Sequence, residues 1–175
     1  MNRRLPPTRL LPAEPLPPYT FVPGQSPHPH SDPRGHSFGQ PAVAPTPLDP
    51  LRWRACRPYL HAIDLFNLGY CWEAHEVWEG LWNAAGRRGP LADFLKALIK
   101  LAAAGVKVRE GQAEGVRQHA RRAAALLRGL GVAHCAGLDL EALAREADLL
   151  AEQPPDTVNE LPGAPVFALV LQPQD

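Results

Sequence analysis

Fourteen of the 21 prolines lie within Met1 to Pro50, and this skew divides the chain before any other pattern is considered. Proline fixes φ and removes a backbone donor, so continuous helix and ladder-paired strand are both excluded from the first fifty residues. That stretch reads as an extended arm. Tyr19, Phe21, Val22 and Phe38 give it apolar anchors that a free tail would not need, so its middle is expected to lie against the rest of the protein. The first dozen residues are expected to be loose.

From Pro50 onward helical periodicity takes over, punctuated by Pro at helix starts and Gly at helix ends. Five helices are predicted: Pro58 to near Gly69, Cys71 to Ala85, Leu91 to Arg109, Gln112 to Arg128, and Leu140 to Glu152 with Asp139 as its cap. Residues 154–175 are expected to form a short extended tail. The fold class is therefore all-α, a small antiparallel bundle over residues 51–153, because short loops make successive helices antiparallel neighbours.

Lys+Arg and Asp+Glu number 18 each, and a chain with no net charge lacks the excess cations that a dedicated nucleic-acid binder uses on phosphates. The arginine row Arg117, Arg121 and Arg128 reads as a solvated face. Cys56, Cys71 and Cys135 form no C-x-x-C pair and are read as reduced thiols, which suits the cytoplasm. Arg3 and Arg4 precede prolines instead of an apolar run, so no signal peptide is read. The most apolar run, Phe94 to Val108, is broken by Lys96, Lys100 and Lys107, so no membrane span is expected.

Chemistry concentrates in Phe66 to Trp82, FNLGYCWEAHEVWEGLW, where four ionisable groups stand among three tryptophans. Charge among bulky aromatics costs free energy unless each group finds a partner. With residues about 100° apart, Ala74, Val77, Trp78, Leu81 and Trp82 share the buried arc. His75 and Glu79 lie together on one edge, Glu73 on the other, and Glu76 nearly opposite. His75-Glu76-Val77-Trp78-Glu79 imitates the H-E-x-x-H zinc-peptidase pattern with a carboxylate replacing the second histidine. His75 and Glu79 are thus candidate metal ligands, with Glu76 as a candidate general base. A third ligand would come from His119, from an arm histidine or from Asp64.

The alternative is pairing with neighbouring elements. Lys96, Lys100 and Lys107 form a stripe that either faces water or neutralises the carboxylates of the second helix, and breaking such a buried pair would cost about 3–5 kcal/mol. His119 falls on the apolar arc of the fourth helix with Val116, Ala123, Leu126 and Leu130, and reads first as a satisfied core residue. In the arm, Asp32, Arg34 and His36 are expected to dock on the charged edge of the second helix, while His28 and His30 read as exposed. No phosphate-binding loop, nucleophile elbow or Cys–His pair is present, so nucleotide binding and covalent hydrolysis have no support.

Phe66-Asn67-x-Gly69 and Trp72-Glu73-Ala74-His75-Glu76-x-Trp78-Glu79-x-x-Trp82 closely resemble the signature of the domain of unknown function family 309. So do Phe94 to Ala104 and His119-Ala120-Arg121-Arg122-Ala123, and the arm around Pro27 to Ser37 looks like the longer bacterial form. The resemblance implies a compact all-helical fold and a site built on Asn67, Glu73, His75, Glu76 and Glu79, but no assigned activity. Cys71 and His61 depart from it where aromatic residues are expected.

Together these observations favour a domain that binds a protein partner or small ligand in a charged, aromatic-lined groove with the arm folded along it. Trp72, Trp78 and Trp82 would supply contact area, and Asn67, Glu73, His75, Glu76, Glu79, Lys100 and His119 would orient the bound group. A metal-dependent hydrolase with His75, Glu79 and His119 as ligands is the alternative, and a purely structural scaffold is the second. No organic cofactor is expected, and a divalent ion only under the hydrolase reading.

Overall fold

The computed structural model describes residues 7–155, 165–166 and 168–174. Five helices, α1 (Arg57–Asn67), α2 (Cys71–Ala84), α3 (Pro90–Arg109), α4 (Ala113–Gly129) and α5 (Leu140–Glu152), build an all-α bundle in which each helix packs on the next in sequence. Their bounds agree with the Pro and Gly punctuation to within a residue or two. Proline occupies the first turn of α1 and of α3, where its missing N–H costs nothing. At the end of α1, Gly69 takes φ +83°, and paired bonds close the helix from Gly69 N–H to the Phe66 carbonyl (3.0 Å) and from Tyr70 N–H to the Leu65 carbonyl (2.8 Å). That reversal aims α2 back along α1 after only three residues. Asp139 caps α5 as expected, accepting from the Ala142 N–H at 2.9 Å.

Tyr59, Ile63, Trp78, Leu81, Phe94, Leu98, Leu101 and Leu127 fill the centre of the bundle. Trp78 has no exposed surface and lies against Phe66 at 5.7 Å between ring centroids. It is therefore a core residue and not part of a groove wall, because the position that looks functional in an aromatic-rich helix is also the one that faces α1 and α3. Two small elements have no counterpart in the sequence reading. One is a single 3-10 turn, Trp53–Ala55; the other is a two-stranded antiparallel ribbon of β1 (His134–Cys135) and β2 (Leu138–Asp139). Strands of two residues carry no alternation that a pattern can detect.

The arm follows the bundle, but not as a uniformly extended chain. Residues 28–40 fold into successive turns closed by bonds such as Gly35 N–H to the Asp32 carbonyl (2.8 Å) and Ser37 N–H to the Pro29 carbonyl (3.1 Å). A Cβ at Gly35 would meet the Pro29 carbonyl oxygen at 2.3 Å, so only glycine allows the two backbones to approach this closely. Tyr19 clasps this turn cluster. Its hydroxyl donates to the Pro27 carbonyl at 2.9 Å and receives the His36 N–H at 3.3 Å.

The expectation of a loose first dozen residues is overturned for residues 9–11. Leu10 and Leu11 donate their N–H groups to the two oxygens of buried Asp64 at 2.7 and 2.8 Å, with Arg9 3.7 Å from the same carboxylate. Proline-rich chain is poor in self-pairing donors, so its remaining N–H groups are available to an acceptor on the bundle. Arg3 and Arg4 lie outside the described residues, as do most of the residues between α5 and the tail. Among the described residues no helix is long and apolar enough to cross a membrane.

Candidate functional site

Five polar or charged residues are buried in the described chain: Thr20, Asp64, Asn67, Glu73 and Arg109. Three of them, Asp64, Asn67 and Glu73, stand within ten residues on α1 and α2, and each is matched by a segment outside the bundle. A carboxylate withdrawn from water needs hydrogen bonds as well as opposite charge. Glu73 obtains its hydrogen bonds from the arm, accepting from the Thr20 hydroxyl (2.9 Å) and the Phe21 N–H (2.8 Å), with His36 Nε2 at 3.2 Å. Side-chain exposures of 8% for His36 and 5% for Glu73 make this contact a buried one. Asp64 receives Leu10 and Leu11 as described above.

Asn67 serves the other end of the chain. Its amide oxygen accepts the Leu171 N–H and its amide nitrogen donates to the Leu171 carbonyl, both at 2.8 Å. The side chain thus acts as one rung of a β-ladder, and the tail gains the pairing of a strand without a neighbouring strand. Nearby, the Arg109 guanidinium donates to the Gly69 carbonyl at 3.1 Å, and the Gln25 side-chain amide donates to the Arg109 carbonyl at 3.4 Å. The turn between α1 and α2 is thereby held to the end of α3 and to the arm.

Aromatic groups extend the arm contact. Phe21 meets Trp72 edge-on at 5.1 Å, and the rings of His28 and His30 approach the same indole at 5.5 and 5.9 Å. Both arm histidines are exposed, as expected, while their rings rest beside Trp72 of α2. Asp32 and Arg34 do not dock: they pair with each other at 2.9 Å, and that guanidinium holds the Asp32 carboxyl at about 2. Of those three expected contacts, the structure shows the one made by His36.

Neutralisation of the α2 carboxylates by lysine does not occur. Lys107 pairs with Glu110 at 2.7 Å, and among the described residues Lys96 and Lys100 form no salt bridge. The arm delivers one backbone N–H, one hydroxyl and a histidine to Glu73, while Lys96, Lys100 and Lys107 are each half-buried along α3.

A second group lies on the same helix. His75 Nδ1 is 3.5 Å from Glu76 and 3.8 Å from Glu79, and one ligand atom from each of the three residues can be chosen so that all lie within 4.8 Å of one another. Glu76, expected to point nearly away, therefore joins this edge. Its long side chain folds back towards His75, and His30 of the arm covers it at 3.9 Å. His119 does not enter the group. It is half-buried on α4, and burial first, then Lys100, Lys107 and His75, push its pKa below the ordinary histidine value. Trp82 is partly buried, with the Arg87 guanidinium 5.5 Å from its ring. Arg128 of the arginine row is engaged by Asp148 at 2.7 Å and Glu141 at 3.5 Å on α5.

A half-open cavity of about 650 Å³ lies away from these groups, between the 3-10 turn, the ribbon, the start of α5 and the tail. Trp53, Cys135, Leu143 and Leu171 are among the residues lining it. The ionisable cluster is on α2 instead, and the convergence of partnered polar groups is the better guide to the site. Burial pushes the Cys135 thiol up to about 11 and the Cys71 thiol to about 12, so neither is a nucleophile near neutral pH.

His61, one turn before Asp64 and Leu65, is also held below the ordinary histidine pKa, chiefly by burial. Its Nδ1 has neither solvent nor a hydrogen-bond partner among the described residues. The folded state favours the neutral ring, so the unfolded chain binds the extra proton first as pH falls below about 6.5, and stability declines from there downward. Replacing His61 with Phe should make urea midpoints less sensitive to acid between about pH 7 and about pH 5 than those of the wild type. An unchanged slope would show that His61 does not carry the effect.

Residues 59–119 match the model of the family described as Domain of unknown function (DUF309), and over that stretch the chain resembles it. The match spans α1 to the middle of α4 and includes Asp64, Asn67, Glu73, His75, Glu76 and Glu79, whereas the arm and the tail that pair with them lie outside it. No curated protein and no solved structure gives a significant match.

Proposed function

We propose that this chain is a segment-binding helical domain whose α1–α2 face receives extended polypeptide and whose resident occupant is its own proline-rich arm. The observation that carries the reading is the hydrogen bonding of Glu73, where one buried carboxylate takes a backbone N–H, a hydroxyl and an imidazole from residues 20–36. Asp64 and Asn67 repeat the pattern with other backbone segments. Main-chain hydrogen bonds supply affinity and a side-chain contact supplies selectivity, as in other modes of peptide recognition. Here the selective contact is Phe21 on Trp72.

A protein partner of this domain would present a similar short stretch, an aromatic residue preceded by a hydroxyl residue, in competition with the arm. Such a partner need carry no nucleic acid or lipid. Three free thiols suit a cytoplasmic setting, which forms part of this proposal.

The test loosens the arm from its own side. In full-length protein carrying Phe21→Ala, a fluorescent peptide of residues 16–38 should bind in trans, and adding Glu73→Ala should abolish that binding. A peptide that fails to bind the Phe21→Ala protein would remove trans recognition and leave the scaffold reading, which the same intramolecular contacts support. The metal-dependent hydrolase reading has less support. Glu76 lies inside the donor cluster, where acting as ligand and acting as base compete, and His119 stands outside it.

A further inference from the structure

We propose that His75, Glu76 and Glu79 bind one zinc-class divalent ion, with His30 of the arm as fourth donor, so that the ion latches the arm onto α2. The inference rests on the segment-binding reading for the arm's position and adds to it a ligand and a means of control.

The donor spacing is the first argument. At 3.5 and 3.8 Å from the two carboxylates, His75 Nδ1 is too far for a normal hydrogen bond, and it is closed to solvent with no hydrogen-bond partner. A tetrahedral ion with bonds of about 2.0–2.1 Å separates its donors by about 3.4 Å. The His75–Glu76 separation is close to that edge, and the three donors lie within 4.8 Å of one another, so small side-chain rotations would close them on one ion.

Charge supplies the second argument. Glu76 and Glu79 lie side by side without a lysine or arginine paired to them among the described residues, whereas Glu73, on the same helix, is fully partnered by the arm. An ion between Glu76 and Glu79 neutralises both and removes the repulsion between them.

His30 stands outside the three-residue group but at its edge, and with about half of its side chain exposed a rotation of the ring would bring it to the ion as fourth donor. Its Nε2 is 3.9 Å from the second oxygen of Glu76. His28 is committed otherwise, since its Nδ1 receives the backbone N–H groups of His30 and Ser31 at 3.3 Å. Two imidazoles and two carboxylates suit zinc and its neighbours, while calcium and magnesium prefer oxygen alone. Four protein ligands leave no open position, so the site is a structural latch and not a hydrolytic centre.

Zinc titration of metal-free, full-length protein by calorimetry, with cobalt absorption as a check on four-coordination, tests the proposal. One ion per chain is expected, with His75→Ala weakening binding at least a hundredfold and His30→Ala on the order of tenfold. By linkage, saturating zinc should slow exchange of the Phe21 amide by the same factor that His30→Ala costs in zinc affinity. Absence of stoichiometric binding overturns the site, and so does binding that survives His75→Ala, which would mark adventitious capture by the arm histidines. Binding unaffected by His30→Ala overturns the latch. None of these failures touches the segment-binding reading, which fails separately if the Phe21 amide is unprotected in metal-free protein.

Discussion

Replacing Glu73 with Ala should destabilise the docked arm by about 3–5 kcal/mol, the cost of leaving buried partners of a charged group without it. Three groups lose their partner at once: the Phe21 N–H, the buried Thr20 hydroxyl and the His36 ring, whose side chain is 8% exposed. The loss is bounded by the free energy of docking, because an arm that can detach need not drag the bundle with it. Detachment should therefore precede global unfolding. Trp72, freed from Phe21, His28 and His30, should become accessible to an aqueous quencher while far-ultraviolet dichroism stays helical. If the arm and bundle unfold together, the midpoint should instead fall on the order of 10 °C. Glu73→Gln, which keeps an acceptor for the Phe21 N–H and loses the charge, should cost distinctly less. Equal effects of the two substitutions would mean that packing, not hydrogen bonding to a carboxylate, holds the arm.

The second large effect is expected at Asn67, whose amide completes both bonds to Leu171. Asn67→Asp is nearly isosteric, yet at neutral pH it replaces a buried donor with a charged acceptor facing the Leu171 carbonyl. Two compromised buried groups give about 2–4 kcal/mol. The sign of its pH dependence distinguishes this cause from any other. Once protonated, the introduced carboxyl can donate to the Leu171 carbonyl, so folding raises its pKa above the unfolded value of about 3.9. Stability lost at neutral pH should return as pH falls towards that value, relative to Asn67→Ala measured alongside. A pH-independent difference between the two variants would remove the hydrogen-bond explanation.

Helices were legible because their ends are marked by residues with local physical effects: Pro58 and Pro90 near helix starts, Gly69, Gly86 and Gly111 beyond helix ends, and Asp139 as a cap. The charged segment of α2 was legible because Glu73 interrupts an otherwise apolar neighbourhood. Its partners were not legible. The groups that satisfy Asp64 and Glu73 are chiefly the backbone N–H groups of Leu10, Leu11 and Phe21, and a backbone N–H leaves no trace in residue identity. One signal in the sequence does point to them: Asp64 and Asn67, one turn apart on the apolar face of α1, need partners from outside the bundle's helices. Helical-wheel angles also placed Glu76 away from His75, since they locate Cβ atoms and not the ends of long side chains that an overlying arm can turn.

Hydrogen exchange at the amides of Leu10, Leu11 and Phe21 in the intact, unmodified protein tests the central claim, that the buried carboxylates of α1 and α2 hold the chain's own arm. Leu10 and Leu11 report on Asp64, and Phe21 on Glu73. Protection at all three, well above that of exposed arm residues such as Ala42 and Val43, is the expected result. Exchange at the rate of an unstructured peptide would show that the arm is not held, and the assignment of Asp64 and Glu73 as its receptors would be contradicted.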